Sequence, residues 1–293
     1  DLHLSLRRQR QMCIRYRLIV FALIIFEKFS RRKTKRWSDN PASLDSQGWE
    51  LKKYRALFAV IVALFPPIFS IGIPSFWFLL NVDQVQKGLT MELLALTLRT
   101  IGLGVIASLI TILFSLILSL ANRQSKSLFL AFITFPASIG YAIPGTVLAI
   151  SLITISTSQF NFIAICLLIW GYLVRFLTIS KGSIDSGLER ISPSLDEAAN
   201  GLGANWISII KRIHLPLLKG PIFVGSLLVF VDTIKELPIT FILRPFDFDT
   251  LSVRIYQYAG DERMAEAIVP AIFITILGLI ASSTLIPSLE KKN

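Results

Sequence analysis

The chain has 293 residues, 53% of them hydrophobic, a mean hydropathy of +0.64 and a formal charge of +11. That apolar share exceeds the ~45–50% of a soluble domain, so a polytopic membrane protein is expected. The basic residues gather between apolar segments instead of along one aromatic-lined stripe, which argues against nucleic-acid binding.

Residues 1–17 hold five arginines. They have neither the apolar core of a signal peptide nor the length of a span, and are expected to be foreign to the native chain. Residues 18–27 read as the end of a transmembrane helix whose beginning is missing, and 28–55 as a basic cytoplasmic linker. A span takes about 20 mostly apolar residues, and segments near 56–80, 91–121, 127–156, 160–180, 220–236 and 266–287 meet that description. The expected fold is therefore all-α, with six spans after a truncated preceding helix. Residues 56–90 form the first span and its outer loop, and 91–288 the main transmembrane domain.

Lysine and arginine resist translocation, so their distribution orients the spans. Segments 28–55, 122–126, 175–219 and 288–293 hold 19 of them, whereas 81–90, 157–159 and 237–265 hold 4. The loop at 183–220 is thus expected to face the cytoplasm. Cys13 and Cys166 stand in no Cys-x-x-Cys or Cys/His cluster, so neither a disulfide framework nor a metal site is expected. Cys166 should pack within its apolar run. His3 and His214 have no evident partner, and His214 reads as a solvated interface residue.

Pro66-Pro67, Pro136, Gly102 and Gly104 read as kinks and close approaches in a helix bundle. Gly140 to Gly145, with Tyr141 and Pro144 inside it, also reads as a break near a translocation pathway. In the loop, Ser192-Pro193 offers an N-cap and a first-turn proline, and Ser194 and Glu197 have capping-box spacing. Gly203 can end this short helix through a positive φ. Asn205 can cap a second one, which Pro216 should stop after Ile213. Ala198, Ala199 and Ala204 would give the pair a shallow face suited to a cleft on another protein, while Trp206, Ile207 and Ile210 suit a membrane-surface helix.

Glu197-Ala198-Ala199, three residues, Gly203, nine residues, Ile213, one residue, Leu215-Pro216 reproduces the EAA-x3-G-x9-I-x-LP signature, and in it the chain resembles binding-protein-dependent ABC importer permeases. The stretches 140–150, 171–204 and 231–263 further resemble the C-terminal half of ferric-iron permeases of the FbpB/SfuB type. The resemblance implies a type I importer transmembrane domain in the bacterial inner membrane. It implies a coupling helix in which Glu197 contacts an ABC ATP-binding subunit and Gly203 permits the turn. Other implied partners are a periplasmic substrate-binding protein and a second permease half, fused or dimeric. No G-x4-G-K-[ST] phosphate loop occurs, so ATP would be used by the partner subunit and no cofactor by this chain. Thiamine or phosphonate import fits the same architecture as iron.

Charged groups inside a span face a cavity or pair with one another. Asp232, Lys235 and Glu236 therefore carry two readings: an intrahelical pair, or oxygen ligands lining the route of a hard trivalent cation. Arg99 and Arg175 pose the same question, and Arg175 is expected to snorkel to the cytoplasmic surface. Residues 244–263 suit either docking of the binding protein or a solvated loop. No HExxH, GxSxG or nucleophile–base pair is present, so no covalent chemistry is expected. An ion-coupled secondary transporter is the rival class, and the signature loop speaks against it.

Overall fold

The computed structural model describes residues 51, 53–83, 90–125, 127–155 and 161–285, and among these every regular element is helical. Residues 1–17, the helix end at 18–27 and nearly all of the linker at 28–55 lie outside the described residues. In chain order the helices are α1 (Tyr54–Leu80), α2 (Met91–Gln124), α3 (Leu128–Ala137), a 3-10 turn at Gly140–Ala142, α4 (Gly145–Ile155), α5 (Asn161–Leu188), α6 (Pro193–Gly201), α7 (Trp206–Leu217), α8 (Lys219–Ile234), α9 (Pro238–Leu243), α10 (Leu251–Gly260) and α11 (Met264–Ser283).

Hydroxyl side chains sit inside these apolar helices because each turns back onto its own backbone. Thr97 donates to Leu93 O at 2.8 Å, Thr100 to Leu96 O at 2.8 Å, Ser115 to Thr111 O at 2.8 Å and Thr233 to Val229 O at 2.7 Å. Where there is no water, that bond removes the penalty of an orphaned donor. Among the described residues four helices are long and apolar enough to cross a membrane: α1, α2, α5 and α11, or five if α7 and α8, bent by 69° at their junction, count as one.

The segment expected as a single span at 127–156 is two helices, α3 and α4, parted by the turn at Gly140–Ala142. The cause lies in the sequence, since Pro144 cannot donate a helical hydrogen bond and disfavours helix in the residue before it. Ile143 is accordingly extended, with φ −81° and ψ 124°. The span expected at 220–236 is shorter, because regular helix ends at Ile234.

The chain divides into two compact units. The described part of the first, Ile110–Leu148 and Tyr172–Ser226, has a core of Ile112, Leu120, Ile184, Leu188, Ile191 and Leu218, with Trp206 and Ile210 packed against it. In the second, Leu93, Leu96, Leu251 and Val269 form a core against which Phe78 and Phe273 pack. There Thr250 caps α10 by accepting from Val253 N, and Leu251 N donates to Thr100 Oγ1 at 3.0 Å. Helix α1, with Pro66, Pro67 and Pro74 inside it, buries none of its residues. Cys166 is exposed instead of packed.

Candidate functional site

The signature loop folds as two helices in the first unit. Ser192, with extended ψ 137°, caps α6 by accepting from Ser194 N at 3.3 Å, and Pro193 takes the first helical position, where its missing N–H costs nothing. Of the two starts expected here, the Ser192–Pro193 cap is the one that forms. At the other end Gly203 N donates to Asn200 O at 2.9 Å and Ala204 N to Ala199 O at 3.0 Å. This pair of bonds is a Schellman motif. It requires the left-handed φ of +80° found at Gly203.

Asn205 then starts α7, its Oδ1 accepting from Ser208 N at 2.9 Å. The expected stop at Ile213 does not occur. Residues Ile210–His214 widen into a π turn, and helix continues to Leu217 with Pro216 inside it. A π turn just before a proline relieves the clash of its ring with the preceding turn, and the 69° bend into α8 follows.

None of the residues of α6 is buried. Glu197 and Ala198 are exposed, as are Leu195 and, at 89%, Leu202, so α6 presents an outward face of one carboxylate among small and aliphatic groups. Ala199 and Ala204 are half-buried, which leaves Ala198 alone of the three alanines fully on that face. Ile213 and Leu215 are half-buried, Pro216 is exposed at the bend, and Ile207 is 61% exposed. The signature thus divides into groups that face outward and groups that shape the backbone.

His214 is not solvated. It is fully buried, with the edge of Trp206 against its ring at 5.4 Å, and its Nε2 lies 2.8 Å from Asp196 Oδ1. The other oxygen of Asp196 accepts from Arg123 Nε at 2.7 Å. Neither Arg123 nor Asp196 is among the expected site residues. The available signal was an aspartate immediately ahead of the signature glutamate and a lone arginine in a short loop.

The break at 138–144 is held to α5. Thr178 Oγ1 donates to Ala137 O at 2.9 Å and accepts from Tyr141 N at 3.3 Å. Arg175 Nη1 donates to Ile143 O at 3.2 Å, and its guanidinium lies 5.5 Å from the centre of the Tyr141 ring, a cation–π distance. Arg175 therefore turns to the break and does not snorkel. Tyr141 is 46% exposed and Pro144 is exposed beside it.

In the second unit Asp232 pairs with Lys235 at 2.8 Å, the intrahelical reading of that pair. Glu236 is buried between α8 and α9, where its Oε1 accepts from Ile239 N at 3.4 Å. Its backbone oxygen accepts from Thr240 Oγ1 at 2.7 Å and Ser252 Oγ at 3.0 Å. Among the described residues no group of three or more His, Cys, Asp or Glu side chains is arranged to hold a metal ion.

Residues 244–263 pair extensively: Arg244 with Asp249, Arg254 with Glu92 and, at 3.5 Å, with Asp249, and Arg263 with Glu266. Arg99 Nη1 donates to Asp247 O at 3.1 Å. Beside them an open groove of about 730 Å³ is lined by Phe241, Arg254, Tyr256, Tyr258 and Arg263, among others.

Residues 112–292 match the family described as binding-protein-dependent transport system inner membrane component. Among curated proteins, the chain is 25% identical over 215 residues to the Fe(3+)-transport system permease protein FbpB 2 of Haemophilus influenzae, covering 71% of this chain and 42% of that one. It is 26% identical over 149 residues to the spermidine/putrescine transport system permease protein PotC of the same organism, covering 49% of this chain and 56% of that one. The chain thus spans about half the length of these relatives. A solved structure of a bacterial ABC transporter involved in import of the acidic polysaccharide alginate superposes with a TM-score of 0.57 at 15% identity, over 81% of this chain and 94% of that one. The fold is the same.

Proposed function

Since the chain belongs to the family of binding-protein-dependent transport system inner membrane components, we propose that it is part of the membrane pathway of an ATP-driven importer that carries ferric iron, released by a periplasmic binding protein, into the cytoplasm. The observation that carries this reading is the helix pair α6–α7, built by Ser192, Gly203 and Asn205, in which no residue of α6 is buried among the described residues. A helix that keeps Leu195 and Leu202 exposed is stabilised by a partner that covers them. An ATP-binding subunit docked there, with Glu197 at the contact, supplies the chemistry, since the sequence holds no phosphate loop.

The excess of lysine and arginine in the segments flanking α6–α7 supports placing that loop in the cytoplasm. The sparse lysine and arginine of residues 237–265, three in all, favour the outer side for the groove beside Arg254 and Arg263, toward the binding protein. Iron as the cargo rests on similarity to the FbpB proteins; Tyr141, Pro144 and Glu236 are the pathway candidates, and Asp232 is the candidate whose charge is already taken up by Lys235. A second permease half, fused or separate, completes the pathway.

The test is ATPase stimulation of the reconstituted complex by its binding protein. Iron-loaded binding protein should raise the rate severalfold. Stimulation by a thiamine- or phosphonate-loaded protein with none by the iron form would move the cargo to those solutes.

Removing charge at two pathway positions should have unequal effects. Asp232→Asn breaks an i,i+3 pair whose lysine is 60% exposed; such pairs are worth about 0.3–0.5 kcal/mol, so iron flux in proteoliposomes should stay within about twofold of the unsubstituted protein. Glu236→Gln keeps the acceptor for Ile239 N but removes a buried charge, and flux should fall about tenfold or more. Unchanged flux in Glu236→Gln would remove this carboxylate from the route.

A further inference from the structure

We infer that Arg123, Asp196 and His214 form the joint through which motion of α6 reaches the membrane helices; this rests on the reading of α6–α7 as the contact with the ATP-binding subunit. None of the three is a fixed position of the signature, His214 being its variable residue between Ile213 and Leu215. The argument begins with how α6 is attached. It buries no residue, so apolar packing does not anchor it, and among the described residues its side-chain hydrogen bonds to other helices all run through Asp196.

One carboxylate therefore collects three helix ends. Its Oδ2 accepts from Arg123, in the last turn of α2. The same guanidinium donates to Leu188 O at 2.8 Å, Ile191 O at 3.0 Å and Ser192 O at 3.4 Å, tying the end of α5 and the entry to α6 to that one group. Its Oδ1 meets His214, in the π turn that leads into the bend before α8. The arginine and aspartate side chains are 14% and 17% exposed and the histidine ring 0%. Buried charge-assisted bonds of this kind fix geometry strongly, and removal of one partner leaves the others stranded.

His214 Nδ1 is buried and meets no hydrogen-bond partner among the described residues. The carboxylate accepts at Oδ1, so the ring Nε2 is the donor in this bond. Arg123 and Asp196 balance each other's charge. The joint is mechanically stiff.

The experiment uses the full permease with its ATP-binding subunit and iron-loaded binding protein in proteoliposomes. It reads iron imported per ATP hydrolysed, with cross-linking at Ala198→Cys to report contact with the ATP-binding subunit. Asp196→Asn should keep the cross-link and continue to hydrolyse ATP while import per ATP falls about tenfold or more. Arg123→Lys, which keeps the charge and loses the fan of bonds, should fall in the same direction, and serves if Asp196→Asn does not accumulate. His214→Gln, which retains an N–H for Asp196, should keep most of the ratio that His214→Phe loses. Import per ATP unchanged in these variants, or equal in the two His214 variants, would overturn the joint. Failure of the unsubstituted complex to import iron or to cross-link at position 198 would instead sink the importer reading beneath it.

Discussion

Proline at Gly203 is expected to leave the permease in the membrane yet reduce ATP-driven import by about a hundredfold. Gly203 sits at φ +80° and donates its N–H to Asn200 O, and proline can satisfy neither condition because its ring fixes φ near −65° and removes the donor. The substitution therefore breaks the Schellman motif and re-aims α7 relative to α6. Steric crowding plays no part, since a side-chain carbon at this position would meet nothing within 4 Å. A graded series follows. Asparagine tolerates the left-handed conformation and should retain most import, alanine should lose part of it at a conformational cost of about 1–2 kcal/mol, and proline should lose nearly all. Import by the three variants in proteoliposomes gives the ranking, and equal rates for asparagine and proline would mean that the turn does not matter for coupling.

Alanine at Gly140 should act through a different mechanism and with comparable force. A carbon added there would lie deep inside the contact distance of the Val174 carbonyl oxygen, and a backbone carbonyl in the middle of α5 cannot swing aside as a side chain can. The break at 138–144 would have to separate from α5, losing the bonds through Thr178 and Arg175. We expect a destabilisation of about 3 kcal/mol or more, read as a fall of roughly 5–10 °C in the melting temperature of the detergent-solubilised protein. Gly182→Ala is the control: it lies in α5, the helix against which Gly140 packs, and the added carbon there meets nothing within 4 Å. It should leave the melting temperature unchanged or raise it slightly. Similar losses in both variants would mean that the close approach at Gly140 does not stabilise the fold.

Local chemistry made most of this architecture legible in the sequence. Apolar length marked α1, α2, α5 and α11, and the Ser192-Pro193, Gly203 and Asn205 punctuation placed both helices of the signature loop. The misreadings share one cause, which is that partners distant in sequence decide them. His214 was read as solvated because its partner lies 18 residues away in another helix. Arg175 was read as snorkelling because the carbonyl it serves belongs to a break 32 residues earlier. The role of Arg123, which reaches 65 to 73 residues along the chain, has no signal in spacing. At the end of α7, a π turn absorbed Pro216, a response that depends on how Trp206 and Ile210 pack on the core. Proline rules alone predict a stop there.

The same distinction orders the candidate residues. Positions whose work is conformational, such as Gly203 and Asn205, can be read from residue type alone, because few residues adopt those backbone states. Positions whose work is electrostatic, such as Asp196 and Glu236, depend on burial and on partners from other helices. Their type shows only that something must compensate them.

The central claim, that α6–α7 is where the ATP-binding subunit engages this chain, is tested most directly by site-specific cross-linking in the assembled transporter. With the existing cysteines, Cys13 and Cys166, replaced, a cysteine is introduced at Ala198, on the exposed face of α6, or at Gly260, exposed at the end of α10. The account predicts a cross-link to the ATP-binding subunit from position 198 and none from position 260. No cross-link at 198, or equal cross-linking at both positions, would contradict it.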